Sequence, residues 1–289
     1  MDIRNLQAFV RVAESGSFSL AAERLHLTQP AVSKRIAALE SGLAHRLFDR
    51  MGRRLRLTEA GETLLPRARR ILAEFEDARR RLEDLSGEVG GHLRLGTSHH
   101  IGLHRLPPLL RDFTRRYPEA QLDLEFLDSE AACEAVAQGR LDLGVVTLPT
   151  RPPDNLRVIP VWPDPLAFVV APDHPLAVHR RVSPSRLAEH RAILPGPETY
   201  TGQIIARAFQ ARGVQLDAGP SIHYLETIKM LVAVGLGWSL LPRSLLDEQL
   251  IEVQVQGLGK LSRTLGLVRH RERTLSNAAQ AFVDLLTPD

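Results

Sequence analysis

Ala21-Ala22-Glu23-Arg24-Leu25-His26-Leu27-Thr28-Gln29-Pro30-Ala31-Val32-Ser33 is the stretch from which the rest of the 289-residue chain can be read. Its first half continues a helix opened by Ser17, with Leu20, Ala21, Ala22 and Leu25 apolar. Thr28 is a second capping residue, and Pro30 falls in the first turn of the next helix, where a missing N–H costs nothing. Two helices joined by so short a turn form a helix-turn-helix. On the second, Val32, Ile36 and Leu39 make one apolar stripe, which leaves Gln29, Ser33, Lys34 and Arg35 on other faces. Upstream, Ile3, Leu6, Phe9, Val10 and Ala13 recur at helical spacing until Ser15-Gly16-Ser17 stops them.

Downstream, Phe48-Asp49-Arg50 and Leu55-Arg56-Leu57 flank Met51-Gly52-Arg53-Arg54, a glycine reversal that predicts a small hairpin rich in arginine, a basic wing. Thr58 then caps a long helix with Glu59 and Glu62 in its first turn. Along it Ala68, Ile71, Phe75, Ala78, Leu82 and Leu85 alternate spacings of three and four, a coiled-coil seam for a partner helix; the alternative is one amphipathic helix lying on its own body. Pro66 is expected to kink or delay this helix, and Gly87 with Gly90-Gly91 to end it in a hinge.

Charge supports the division. Ten basic and five acidic residues precede and include Thr58, whereas the rest of the chain carries 27 basic against 29 acidic, so the net +3 conceals a basic head on a near-neutral body. A hydrophobic share of 44% with 25% charged residues is ordinary for a soluble globular protein. The lone cysteine, Cys133, excludes an intramolecular disulfide and a cysteine-based zinc site. With no signal-like or membrane-spanning apolar run, we read the chain as cytoplasmic.

From His92 strands alternate with helices, which predicts βαβ units and a parallel sheet arranged as two similar α/β lobes. In such sheets ligands gather beyond the carboxyl ends of strands, beside helix starts. Thr97, Ser98, His99 and His100 follow the first strand, Thr147 follows another, and Thr199, Tyr200, Thr201 and Gly202 open a helix in the second lobe. Hydroxyls, amides and imidazole without an acidic cluster point to a small anion or carboxylate; the alternative for any one of them is an ordinary helix cap. His99, His100 and His104 also suggest a metal, but no cysteine or carboxylate cluster accompanies them, and the expectation is no metal and no cofactor. Cys133, between alanines on a helix, is expected to be a core residue rather than a redox switch. His223 and Glu226 are either ligand-facing or structural.

Several of these segments together resemble the N-terminal signature of LysR-type transcriptional regulators: residues 9–18, residues 21–33, Leu39-Glu40, Leu47-Phe48-Asp49-Arg50 and Leu57-Thr58-Glu59-Ala60-Gly61. Tyr117-Pro118, residues 139–144 and residues 232–238 resemble that family's effector-binding region more loosely. The resemblance implies a winged helix-turn-helix (1–58), a long dimerising linker helix with its hinge (59–91), and a two-lobed, periplasmic-binding-protein-like α/β effector domain (92–289). The first lobe is expected over 92–162 and 268–289, the second over 163–267. It implies further that Thr97, Ser98 and His99 sit where co-inducers bind. The partners implied are a double-stranded DNA operator, a small-molecule co-inducer, further copies of the chain as a dimer or tetramer, and RNA polymerase, with no membrane.

Base edges in the major groove carry sequence information, and phosphates carry the salt dependence. Gln29, Pro30, Ala31 and Ser33 are therefore expected on bases, Lys34 and Arg35 on both, and Arg50, Arg53 and Arg54 on phosphates or in the minor groove; the alternative is a merely solvated charged face. Because no Gly-x-Ser-x-Gly, Walker or dinucleotide fingerprint occurs, an enzyme is not expected. The competing function is a cytoplasmic small-molecule-binding protein without DNA-dependent activity.

Overall fold

The Ser17 hydroxyl accepts from the Leu20 N–H, and that of Thr58 from Gly61, so two of the three expected caps start their helices as anticipated. Thr28 holds the N-cap backbone conformation without a side-chain bond, and Pro30 follows in the first turn. The structure, a computed structural model, describes residues 2–51, 54–83, 87–179, 181–216 and 222–287, and for residues 50, 51, 54, 80, 81 and 83 the backbone alone. It divides into two units, 1–86 and 87–289.

The first unit contains α1 (Ile3–Ser15), α2 (Phe18–Arg24), α3 (Gln29–Leu43), β1 (Phe48–Met51), β2 (Arg54–Leu57) and α4 (Glu59–Glu83). Gly16 ends α1 in the left-handed conformation, φ 61°, which a glycine adopts without strain. Leu6, Phe9, Val12, Ala21, Val32, Ile36 and Leu39 close one core among the first three helices. At about 1.5–3 kcal/mol for each large apolar side chain buried, this packing rather than helix propensity holds the unit together. β1 and β2 form the expected antiparallel hairpin, with Phe48 opposite Leu57 and Met51 opposite Arg54.

The linker helix departs from expectation in two ways. Ala68 is fully buried in the headpiece core, flanked by Leu64, Leu65 and Leu72, and Arg69 reaches Glu14 of α1 at 3.3 Å. Ala68 therefore cannot belong to a seam with a partner helix; its spacing fits the seam only because the headpiece-facing stripe runs into it. Ile71, Phe75 and Leu82 are 37%, 48% and 70% exposed, and Ala78 is exposed with them. The helix is also not delayed by Pro66, which lies inside the continuous span Glu59–Glu83 beside Leu64 and Leu65, both packed on the headpiece core.

The second unit runs β3 (Gly91–Thr97), α5 (His99–His104), α6 (Pro107–Arg116), β4 (Ala120–Phe126), α7 (Ser129–Ala137), β5 (Leu143–Thr147), β6 (Leu156–Val170), β7 (Arg181–Val182), α8 (Pro184–Ala188), α9 (Tyr200–Gln210), α10 (Leu225–Ala233), β8 (Ser239–Pro242), β9 (Ile251–Val255), β10 (Ser262–His270) and α11 (Asn277–Leu286). The strand order is β4-β3-β5-β10-β6-β9-β7, with β8 also on β6. The expected parallel pairing holds for β4, β3 and β5 and for β7 with β9; β5–β10, β10–β6, β6–β8 and β6–β9 are antiparallel. The reason is that the chain leaves the first lobe along β6 and returns along β10, so these two strands must run in opposite directions.

The return crossing also lies earlier than expected. Leu265 and Leu267 pair with Thr147 and Val145 and fill the first lobe's core with Leu95, Phe113 and Phe282, so residues 265–267 belong to the first lobe. Apolar alternation shows that a segment is a strand but not which core it enters. The second lobe packs around Phe168, Phe209, Trp238 and Leu240.

Candidate functional site

At the start of α3, Gln29, Pro30 and Lys34 are exposed, while Ala31, Ser33 and Arg35 are half-buried. The Gln29 amide donates to the Ser33 hydroxyl at 3.0 Å, one turn on, which presents the two polar groups as a pair. Neither Lys34 nor Arg35 forms an ion pair among the described residues. Arg50 and Arg54 lie on the hairpin strands, opposite Leu55 and Met51. Arg53 lies outside the described residues.

Between the lobes of the second unit is a cavity of about 420 Å³, within the range of small-molecule sites. Ser98, His99 and His100 enter it from the β3–α5 junction, Phe126, Asp128 and Glu130 from the β4–α7 junction, and Thr147 from the end of β5. The other lobe supplies Thr199, Thr201, His223 and Tyr224, with Arg263 on β10. The His99 ring meets Phe126 and Tyr224 edge-on, at 5.4 and 5.1 Å between centroids.

Arg263 is 5% exposed. Its Nε–H donates to Asp164 at 2.7 Å and an Nη1–H to the Thr201 hydroxyl at 3.0 Å, while Nη2 is buried without a partner. Burial pulls the guanidinium below its ordinary pKa, and the Asp164 carboxylate opposes that shift.

Six of the nine expected effector residues line the cavity: Ser98, His99, His100, Thr147, Thr199 and Thr201. The other three do not. The Thr97 hydroxyl is spent inside the sheet, donating to the Val145 carbonyl at 2.8 Å. Tyr200 donates its backbone N–H to Glu130, and its phenol lies against Cys133; burial raises both pKa values, that of Cys133 to about 11. Gly202 donates to the Thr199 hydroxyl at 2.9 Å, and a Cβ there would lie 2.0 Å from the Gly196 carbonyl oxygen, so its role is close packing and capping. Thr199 is itself that cap.

The acidic character of the wall is a further correction: Asp128 and Glu130 both face the cavity, and burial raises the Glu130 pKa. The strand-end rule that located Ser98 and Thr147 would have found Phe126, Asp128 and Glu130 had it been applied to β4. No comparable local signal marks Arg263. His223 and Glu226 both bridge lobes: His223 Nδ1 lies 3.0 Å from Asp128, and Glu226 Oε1 lies 3.3 Å from both His100 Nδ1 and His104 Nε2. The imidazole of His100 holds the Glu226 carboxyl down at about 2, against the opposing effect of burial.

Residues 3–62 match the family model described as the bacterial regulatory helix-turn-helix protein, lysR family, and residues 86–289 match the LysR substrate binding domain. The chain is 32% identical over 289 residues to the RuBisCO operon transcriptional regulator of Allochromatium vinosum, covering 98% of this chain and 94% of that one. Over 108 residues, 37% of this chain and 75% of the relative, it is 70% identical to an uncharacterized HTH-type transcriptional regulator in the ibpB-leuC intergenic region of Azotobacter vinelandii. Among solved structures, CbnR, a LysR family transcriptional regulator, superposes with a TM-score of 0.67 at 22% identity, covering 99% of this chain and 98% of CbnR. That likeness is one of fold.

Proposed function

The chain belongs to the LysR family of transcriptional regulators and is not an enzyme, and from that premise we propose that it binds an inverted-repeat operator in double-stranded DNA as a homo-oligomer, controlling transcription in response to a small anionic metabolite held between its lobes. The observation that carries the anionic assignment is the buried Arg263 guanidinium: the residue lines the cavity, and its Nη2 is buried without a partner. A carboxylate or other oxyanion would satisfy it, and the Asp128 and Glu130 side of the wall would favour donor groups elsewhere on the same ligand.

On DNA, Gln29 would pair with an adenine edge, Pro30 and Ala31 would meet a thymine methyl, and Lys34 and Arg35 would hold phosphates as well as bases. Arg50, Arg53 and Arg54 would track the backbone from the hairpin. The full-length CbnR complex with target DNA, at 22% identity and a TM-score of 0.65, carries this fold on a duplex. The exposed stripe Ile71, Phe75, Ala78 and Leu82 supports a dimer through α4, and dimers of dimers would give a tetramer. The reading places the protein in the cytoplasm, where it would act on RNA polymerase at the promoter.

The effector acts only through different affinities for two arrangements of the lobes. The test is a footprinting and mobility-shift series on the DNA flanking the chain's own gene, with thermal-shift screening of small carboxylic acids. An inverted-repeat footprint altered by a stabilising acid is expected. Binding to no duplex better than to scrambled DNA, in any ligand state, would leave a small-molecule-binding protein in its place.

A further inference from the structure

From the cluster of His100, His104 and Glu226 we propose a binding site for a divalent first-row transition ion of the zinc, cobalt and nickel type that spans the two lobes. His100 and His104 are four residues apart on α5, so both imidazoles project from one face, with ring centroids 4.8 Å apart. Glu226, in the first turn of α10, comes from the other lobe. Its Oε1 is 3.3 Å from His100 Nδ1 and 3.3 Å from His104 Nε2, and the three ligand atoms all lie within 4.8 Å of one another. An ion at the roughly 2.0–2.1 Å bond lengths of zinc to nitrogen and oxygen, in tetrahedral geometry, holds neighbouring ligand atoms about 3.3–3.4 Å apart. Both imidazole nitrogens already stand at that spacing from Glu226 Oε1, and the two nitrogens lie within 4.8 Å of each other.

A simple ion pair accounts for less of the cluster. Glu226 Oε2 is buried without a partner, although an ordinary carboxylate clamp would satisfy both oxygens. A cation between the imidazoles and the carboxylate engages Glu226 through one oxygen or both. The nearby guanidinium groups do not leave the site strongly cationic, because Asp164 faces Arg263 at 2.7 Å and Arg105 at 3.7 Å. Two imidazoles and one carboxylate select zinc, cobalt or nickel over magnesium or calcium, which take oxygen ligands. His104 is 38% exposed, so a fourth position remains open toward solvent, as in zinc sites with three protein ligands. The sequence withheld the carboxylate because Glu226 is 122 residues beyond His104.

An ion bound there ties the lobes together. Its effect on transcription rests on the regulator reading, whereas the binding itself does not. The experiment uses the full chain stripped with a chelator and titrated with Co²⁺, followed by visible d–d absorption, then with Zn²⁺ by calorimetry and thermal unfolding. The expected result is one ion per chain, displacement of Co²⁺ by Zn²⁺, and a rise in unfolding temperature. His104→Ala and Glu226→Gln, each checked by circular dichroism for an intact fold, should weaken binding by at least the ~10–100-fold that loss of a supporting partner behind a metal ligand costs. The exposure of His104 makes its variant the safer for folding. Failure of the wild type to bind one ion, or wild-type affinity in either folded variant, overturns the site. DNA binding is not the readout, so this result is separable from failure of the regulator reading.

Discussion

Lys34 stands exposed on α3 with no ion pair among the described residues, whereas Arg263, 5% exposed, is clasped by Asp164 and Thr201. Both are cations near a proposed binding surface, but water decides what each can do. A solvated charge is screened, adds little to folding and remains available to a polyanion. A buried charge is part of the fold, and what it offers a ligand is only the donors left over, here those of Nη2 among them. The headpiece should therefore tolerate loss of charge and change its DNA binding, while the cleft should lose stability first.

The strongest way to break this contrast is Asp164→Ala, which strands the Arg263 guanidinium. We expect a loss of about 3–5 kcal/mol in the second unit. Urea unfolding followed by tryptophan fluorescence isolates that unit, since Trp162 and Trp238 both lie in it. A loss under about 1 kcal/mol would mean that the buried pair contributes no more than surface pairs do. Next in size is Phe75→Asp on the exposed stripe of α4. It should convert the oligomer to monomers in sedimentation and weaken operator binding about 100-fold through lost avidity, with the folded headpiece preserved. An unchanged oligomer would remove α4 from the interface.

Smaller still is Lys34→Ala. It should weaken operator and scrambled duplexes alike and reduce the slope of log affinity against log salt by about 0.9, with no change in unfolding. Cys133 sets the lower end of the scale. Burial pushes its thiol from 9.0 to about 11, so native protein should resist thiol reagents at neutral pH and react fully in denaturant. Because the unfolded chain gives up this proton first, the contribution of Cys133 to stability is intact below pH 9 and falls between pH 9 and 11. Rapid labelling of the native protein would contradict this.

The headpiece was legible because its signals are local. Ser17, Thr58, Gly16 and Pro30 act within a few residues of themselves, and the stripe of Val32, Ile36 and Leu39 needs only helical periodicity. Ala68 was misplaced because the headpiece and partner stripes share the same spacing along α4. In the second unit, strand ends beside helix starts led to six lining residues, but the same rule could not tell Thr147, whose backbone N–H is held by Ser129 at the cavity, from Thr97, whose hydroxyl faces into the sheet. Arg263 escaped, and the role of Glu226 stayed open, for a different reason: each acts through a partner dozens of residues away, and only the lobe crossing along β6 and β10 brings the pairs together.

The central claim is that the exposed face of α3 reads bases while the neighbouring charges hold the duplex. The most direct measurement compares wild type and Gln29→Ala by fluorescence anisotropy, at one salt concentration, on operator DNA and on a scrambled duplex of the same composition. A loss of about 1–3 kcal/mol on the operator with no change on the scrambled duplex is predicted. Equal losses on both, or none on either, would contradict it.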